Sequence, residues 1–232
     1  MAKKKEQPIS GDKRLENIEE TLSNTEQFII NNQKNISMVV AIIVIVILAY
    51  FAFNKYYIEP NTQDAQEQLF AAQAFFEADS LDKALYGDGN SLGFLDIADE
   101  FSMTTPGNLA NYYAGISFLR KGDFDQAIEF LNSFDSDDHV VSSMATGAIG
   151  DAYIEKGDNS KAIAYYLEAA NKEDNSFTTP LFLFKAAQVY EINDEFEDAV
   201  RIYTRIKKNY ATSTEGRSID KYIARAEARL KK

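Results

Sequence analysis

Two blocks of the sequence, YYAGISFLRKGDFDQAIEFL at 112–131 and ATGAIGDAYIEKGDNSKAIAYY at 145–166, carry one pattern twice. In each, Gly-Asp closes a helix-sized block, and an Ala-Ile pair begins five residues after the glycine. A third copy, LFKAAQVYEINDEFEDAVRIYTRI at 183–206, keeps a small pair, an aromatic and a late alanine. A fourth and weaker copy is LFAAQAFFEADSLDKALYG at 69–87. The late alanines are Ala84, Ala127, Ala162 and Ala199, spaced by 43, 35 and 37 residues. Units of this length cannot bury an apolar face alone, so they stack and share a continuous core.

The pattern resembles the tetratricopeptide repeat, a unit of about 34 residues built from two antiparallel helices. The first helix of each unit offers a pair of small or neighbouring apolar residues: Ala71-Ala72, Ala114-Gly115, Ile149-Gly150 and Ala186-Ala187. Aromatic residues follow at Phe75, Phe118, Tyr153 and Tyr190, and the turn position carries Asp79, Gly122, Gly157 and Asp194. Small residues let paired helices approach, the aromatic is expected to fill the gap between pairs, and a turn glycine ends a helix without strain. The consensus Trp is absent, the late Pro is replaced by His139, Asp174 and Ala211, and GDGNSLGFLDIADEF is inserted after the first unit. Asn108, after Pro106-Gly107, and Thr179, before Pro180, are expected to cap helices. Ile219, Tyr222, Ile223, Ala226 and Leu230 form one stripe of a last helix that would cover the end of the stack. The resemblance implies an all-α fold: a solenoid of about four helix pairs with a C-terminal capping helix.

Ahead of the repeats lie 18 residues without a charge, ISMVVAIIVIVILAYFAF, from Ile36 to Phe53. At about 1.5 Å per residue that run covers roughly 27 Å, the thickness of a bilayer's hydrocarbon core. Bulky Phe53, Tyr56 and Tyr57 follow in place of a small-residue cleavage site, so an uncleaved anchor is expected. Six Lys and Arg precede the span, and only Lys55 follows it before Lys83. That bias predicts a cytoplasmic N-terminus. The expected organisation is a cytoplasmic tail at 1–35, a transmembrane helix at 36–54 and a periplasmic repeat domain at 55–232. In the tail, Leu15, Ile18, Leu22 and Ile29 recur at helical spacing; they suit either a short coiled coil or docking helix, or a marginal helix leading into the span.

Little in the chain suggests chemistry. There is no Cys, one His (His139), and a formal charge of −12, which argues against thiolate sites, His-rich metal sites and binding to nucleic acid. No cofactor motif is present. Asp88-Gly-Asn90-Ser-Leu92-Gly93 with Asp99 faintly follows a calcium loop, but Leu92 stands at a ligand position; a polar turn is expected. Asp135, Asp137, Asp138 and His139 fall between two units and read as a solvated acidic loop. Asp151 and Glu191 lie on first helices and could pair across the groove, with no nucleophile motif beside them.

Repeats of this kind bind proteins. Aligning the units places Tyr112, Ile116 and Leu119, then Asp151 and Ile154, then Leu181, Phe184 and Gln188 on the concave face. An apolar or basic segment suits these positions better than an acidic tail. The tentative partner groove is therefore Tyr112, Ile116, Leu119, Leu181 and Phe184, and the alternative for any of them is packing between helices. Over nearly its full length, through GNLANYYAGISFL, GAIGDAYIEKGDNSKAIAYY and IDKYIARA, the chain resembles membrane-anchored bacterial tetratricopeptide repeat proteins of the YfgM type, in a Bacteroidota-like version. That resemblance implies a non-enzymatic adaptor, ancillary to the SecYEG translocon, that works beside a PpiD-like chaperone on exported polypeptides. Two alternatives stay open: a structural subunit of another envelope assembly or secretion complex, and an apoprotein-holding accessory in cytochrome maturation.

Overall fold

The computed structural model describes the backbone of residues 10–231 and the side chains of residues 26–231. Lys3, Lys4 and Lys5 lie outside the described residues, and Leu15, Ile18 and Leu22 outside the described side chains. Every regular element among the described residues is helical. The chain divides between Tyr57 and Ile58 into two compact units.

The first unit is one helix, α1 (Ser10–Phe53), of 44 residues. It runs without a break through residue 35. After Gly11 the stretch contains no Gly or Pro, so nothing interrupts the hydrogen-bond ladder. Its apolar stretch is long enough to cross a membrane, and none of it is buried within the chain. A π-helical turn, Asn54–Ile58, follows.

The second unit is the solenoid. It runs through α2 (Glu59–Glu77), α3 (Leu81–Tyr86), α4 (Phe94–Glu100), α5 (Thr105–Lys121) and α6 (Phe124–Ser133). It continues with α7 (His139–Glu155), α8 (Asn159–Asn171), α9 (Thr178–Ile192), α10 (Phe196–Asn209) and α11 (Ile219–Leu230). Helices pair as α2/α3, α5/α6, α7/α8 and α9/α10, and each second helix of the last three pairs also packs on the next first helix. The late alanines Ala84, Ala127, Ala162 and Ala199 are fully buried.

One turn joins the helices of all four pairs. Asp79, Gly122, Gly157 and Asp194 adopt φ of 55°, 83°, 76° and 62°, the left-handed conformation that ends a helix. In each turn the next residue's amide bonds the carbonyl five residues back, at Phe75, Phe118, Tyr153 and Tyr190. These are the aromatic positions of the repeat. Asp123 and Asp158 then cap the second helices, accepting from the amides of Gln126 and Lys161.

Close approach explains the glycines in the first helices. A Cβ on Gly115 would lie 2.6 Å from Leu131 of α6, one on Gly150 2.7 Å from Tyr166 of α8, and one on Gly147 1.9 Å from Phe182 of α9. The first two set spacing within a pair, and the third sets spacing between units.

Several local expectations are corrected. Thr104, not Asn108, caps α5 through its hydroxyl. The cap expected of Thr179 is supplied by Asn175, whose carbonyl accepts from the Phe177 and Thr178 amides. Phe118 and Tyr153 stack on rings of their own pair, Phe130 at 5.5 Å and Tyr165 at 5.3 Å, and Tyr153 also packs against the core clusters on both sides of it. The insertion carries a helix of its own: Phe94 and Ile97 of α4 are fully buried against α2, α3 and α5. In the last helix Ile219 and Ala226 are buried, whereas Leu230 is exposed.

Candidate functional site

The first helices α5, α7, α9 and α11 follow one another along one face of the solenoid, and two clefts open there. The larger, about 530 Å³, includes Leu119, Arg120, Asp151, Ile154, Tyr166 and Lys185 in its walls. The other, about 360 Å³, is bounded by Gln188, Glu191, Ile192, Phe196, Arg225 and Arg229.

Each cleft holds the same polar device. In the first, Lys185 of α9 donates to both oxygens of Asp151 on α7, at 2.7 and 2.8 Å. The Tyr166 hydroxyl of α8 donates to the same carboxylate. In the second, Arg225 of α11 bonds Glu191 of α9, and the Tyr203 hydroxyl of α10 donates to it at 2.9 Å. Tyr166 stands four residues after Ala162, and Tyr203 four after Ala199. Lys185 and Arg225 each lie 34 residues beyond the acid they meet, one repeat on. A carboxylate is therefore held by its own unit's tyrosine and by the next unit's cation. Burial, then the bond to the carboxylate, pushes both tyrosine hydroxyls well above the usual phenol range.

The two acids do not pair with each other across the groove; they line different clefts, and each meets a cation there. Sequence reading placed aromatic, aliphatic and acidic residues on this face and missed Lys185, Arg225 and Arg120. Arg120 lies with its guanidinium 4.2 Å from the centre of the Phe76 ring. The available signal was the 34-residue offset between acid and base, visible only once the repeats are aligned.

The five residues of the sequence-derived groove are spread more widely. Leu119 lies in the wall of the larger cleft. Tyr112 and Ile116 are half-buried against the cluster around Leu131 and Ile149, and the Tyr112 ring meets Phe134 at 5.4 Å. Leu181 and Phe184 pack on the C-terminal core, where the Phe184 ring meets Tyr222 edge-on at 4.7 Å. Asp151, Ile154 and Gln188, assigned to the same face, do line the clefts.

Two other acidic candidates, Asp88 and Asp138, serve the backbone. The Asp88 carboxylate accepts the amides of Asn90 and Ser91, which holds it below the usual carboxylate range. Asp138 accepts from the Val140 and Val141 amides at the start of α7. Among the described residues no three His, Asp or Glu side chains converge as a metal site would need. The clefts combine apolar walls with ion-paired rims, which suits the binding of a polypeptide segment.

Sequence models of the tetratricopeptide repeat match residues 109–137, which run from within α5 past α6, and residues 148–214, which run from within α7 past α10. The chain contains tetratricopeptide repeats, a unit that as a rule scaffolds protein–protein interaction. No curated protein matches the chain.

Proposed function

We propose that this chain is a non-enzymatic, membrane-tethered scaffold whose repeat domain holds protein segments. One observation carries the reading: a span-length apolar stretch with none of its surface buried shares a chain with tetratricopeptide repeats. Uncovered apolar surface of that extent in water is strongly unfavourable, at about 25 cal/mol per Å², and a bilayer removes the cost. The Lys and Arg excess before the stretch favours a cytoplasmic N-terminus, with 55–232 in the periplasm of a bacterial inner membrane. The first-helix face, with Leu119, Ile154 and the exposed edges of Tyr112, Ile116, Leu181 and Phe184, takes an extended client segment.

Within that frame the protein serves the Sec translocon as an ancillary subunit and passes exported polypeptides to a PpiD-like chaperone. Support for this finer role is the resemblance to YfgM-type proteins, over nearly the full chain, in layout and in the quoted stretches. Affinity purification of the full chain in mild detergent tests it. Recovery of SecYEG subunits with a PpiD-like chaperone is expected. Recovery of outer-membrane assembly proteins or haem-handling proteins in their place overturns the role and leaves the scaffold. A periplasm-active reporter fused after Lys232 tests the tether: it is expected to be active, and an inactive fusion that regains activity as a cytoplasmic reporter overturns the orientation.

A further inference from the structure

We propose that the loop edge of the solenoid carries a second docking site, distinct from the first-helix face, for a polypeptide segment that places a lysine or arginine beside an apolar side chain. The site is a cleft of about 620 Å³ between the start of α5 and the 134–138 loop. Its apolar surface comes from Met103, Leu109, Phe134 and Val141. Met103 is 69% exposed, the kind of large apolar side chain a soluble surface rarely leaves uncovered beside other apolar groups.

The walls are fixed. The Asn108 side chain accepts from the Asp135 amide at 3.1 Å and donates to the Asp135 carbonyl, clamping the loop to α5. The Phe134 ring is held against Tyr112. The cleft thus exists before any ligand arrives, and binding need not order the loop.

Charge selects the occupant. Three carboxylates, Asp135, Asp137 and Asp138, border the cleft, and no Lys or Arg does. Asp138 is committed to the α7 amides, where it offsets the positive end of that helix. Asp135 and Asp137 make no ion pair among the described residues. The two clefts on the first-helix face differ in this respect, because there the groove acid is matched by Lys185 or Arg225. An acidic segment is repelled at the loop edge, and a purely apolar one leaves both carboxylates unanswered. A basic group at the rim with an apolar neighbour on Met103 and Leu109 satisfies both features.

The test uses the full chain in an uncharged detergent and a fluorescent hexapeptide alternating lysine and leucine, read by anisotropy against protein-free micelles. Asp135→Asn with Asp137→Asn is expected to weaken binding at least tenfold, and Met103→Ser at least threefold, with helicity unchanged. A control, Asp64→Asn with Glu67→Gln on the exposed side of α2, removes the same charge and is expected to change binding less than twofold. Equal weakening by the control means the peptide reads only the overall negative field, which overturns the site. Unchanged binding in both cleft variants, or equally tight binding of a glutamate–leucine hexapeptide, overturns it too.

Discussion

Asp79 and Asp194 occupy left-handed turn positions that the two central units fill with glycine. A short polar side chain tolerates this conformation better than most, yet still at a cost that glycine avoids. Asp194→Gly is therefore expected to stabilise the domain by about 0.5–1 kcal/mol, and Gly157→Ala to destabilise it by about 1 kcal/mol, both read by urea denaturation. Tyr166 and Tyr203 also act singly. Their folded pKa lies above the unfolded value near 10, so the folded state holds their protons more tightly. Their contribution is complete below about pH 10 and is lost as pH rises above it. The melting temperature is expected to fall as pH rises from about 10 to 12, and to fall less steeply in a Tyr166→Phe/Tyr203→Phe variant. At pH 8 each phenylalanine costs about 1.5–3 kcal/mol, the worth of a hydrogen bond to a charged group.

α7 holds the longest unbroken buried run of the stack, from Ala145 to Gly150. Its Gly147 faces Phe182 so closely that an added methyl must displace a buried ring. Gly147→Ala is expected to lower stability by about 1–3 kcal/mol despite alanine's better helix propensity. Gly147→Ala/Phe182→Leu is expected to recover much of that loss, and a recovery too small to measure in thermal melts would place the strain elsewhere. The contact also shows what sequence conveys at this scale. α5–α8 were legible because Gly122-Asp123 and Gly157-Asp158 mark turns with local chemistry. α4 was not, since Phe94 and Ile97 owe their burial to helices far along the chain. The caps were misread for a related reason. Asn108 looks like a cap by its place after Pro-Gly, but its amide is taken by Asp135, 27 residues away. The clefts were half legible: Asp151, Ile154 and Gln188 follow from repeat alignment, while Lys185 and Arg225 enter from neighbouring units.

At the scale of the whole solenoid, each pair touches the pairs before and after it, so stability is a sum of units and their shared surfaces. The Glu191–Arg225 bond ties α11 to the pair it follows. Because Arg225 is half-exposed, its loss is worth roughly 1 kcal/mol or less. Arg225→Ala is expected to speed hydrogen exchange several-fold in residues 219–230 and to leave 112–131 unchanged. Uniform acceleration through both stretches would mean that the domain opens as one block. The repeated left-handed turn has a mechanical corollary. A pull between the two ends of the stack passes from pair to pair in series, with no path that bypasses a unit. Under tension the domain should give way stepwise, each event paying out one repeat of about 34 residues, or roughly 120 Å of extended chain. Loaded at its two ends, such a stack lengthens like a spring with discrete stops.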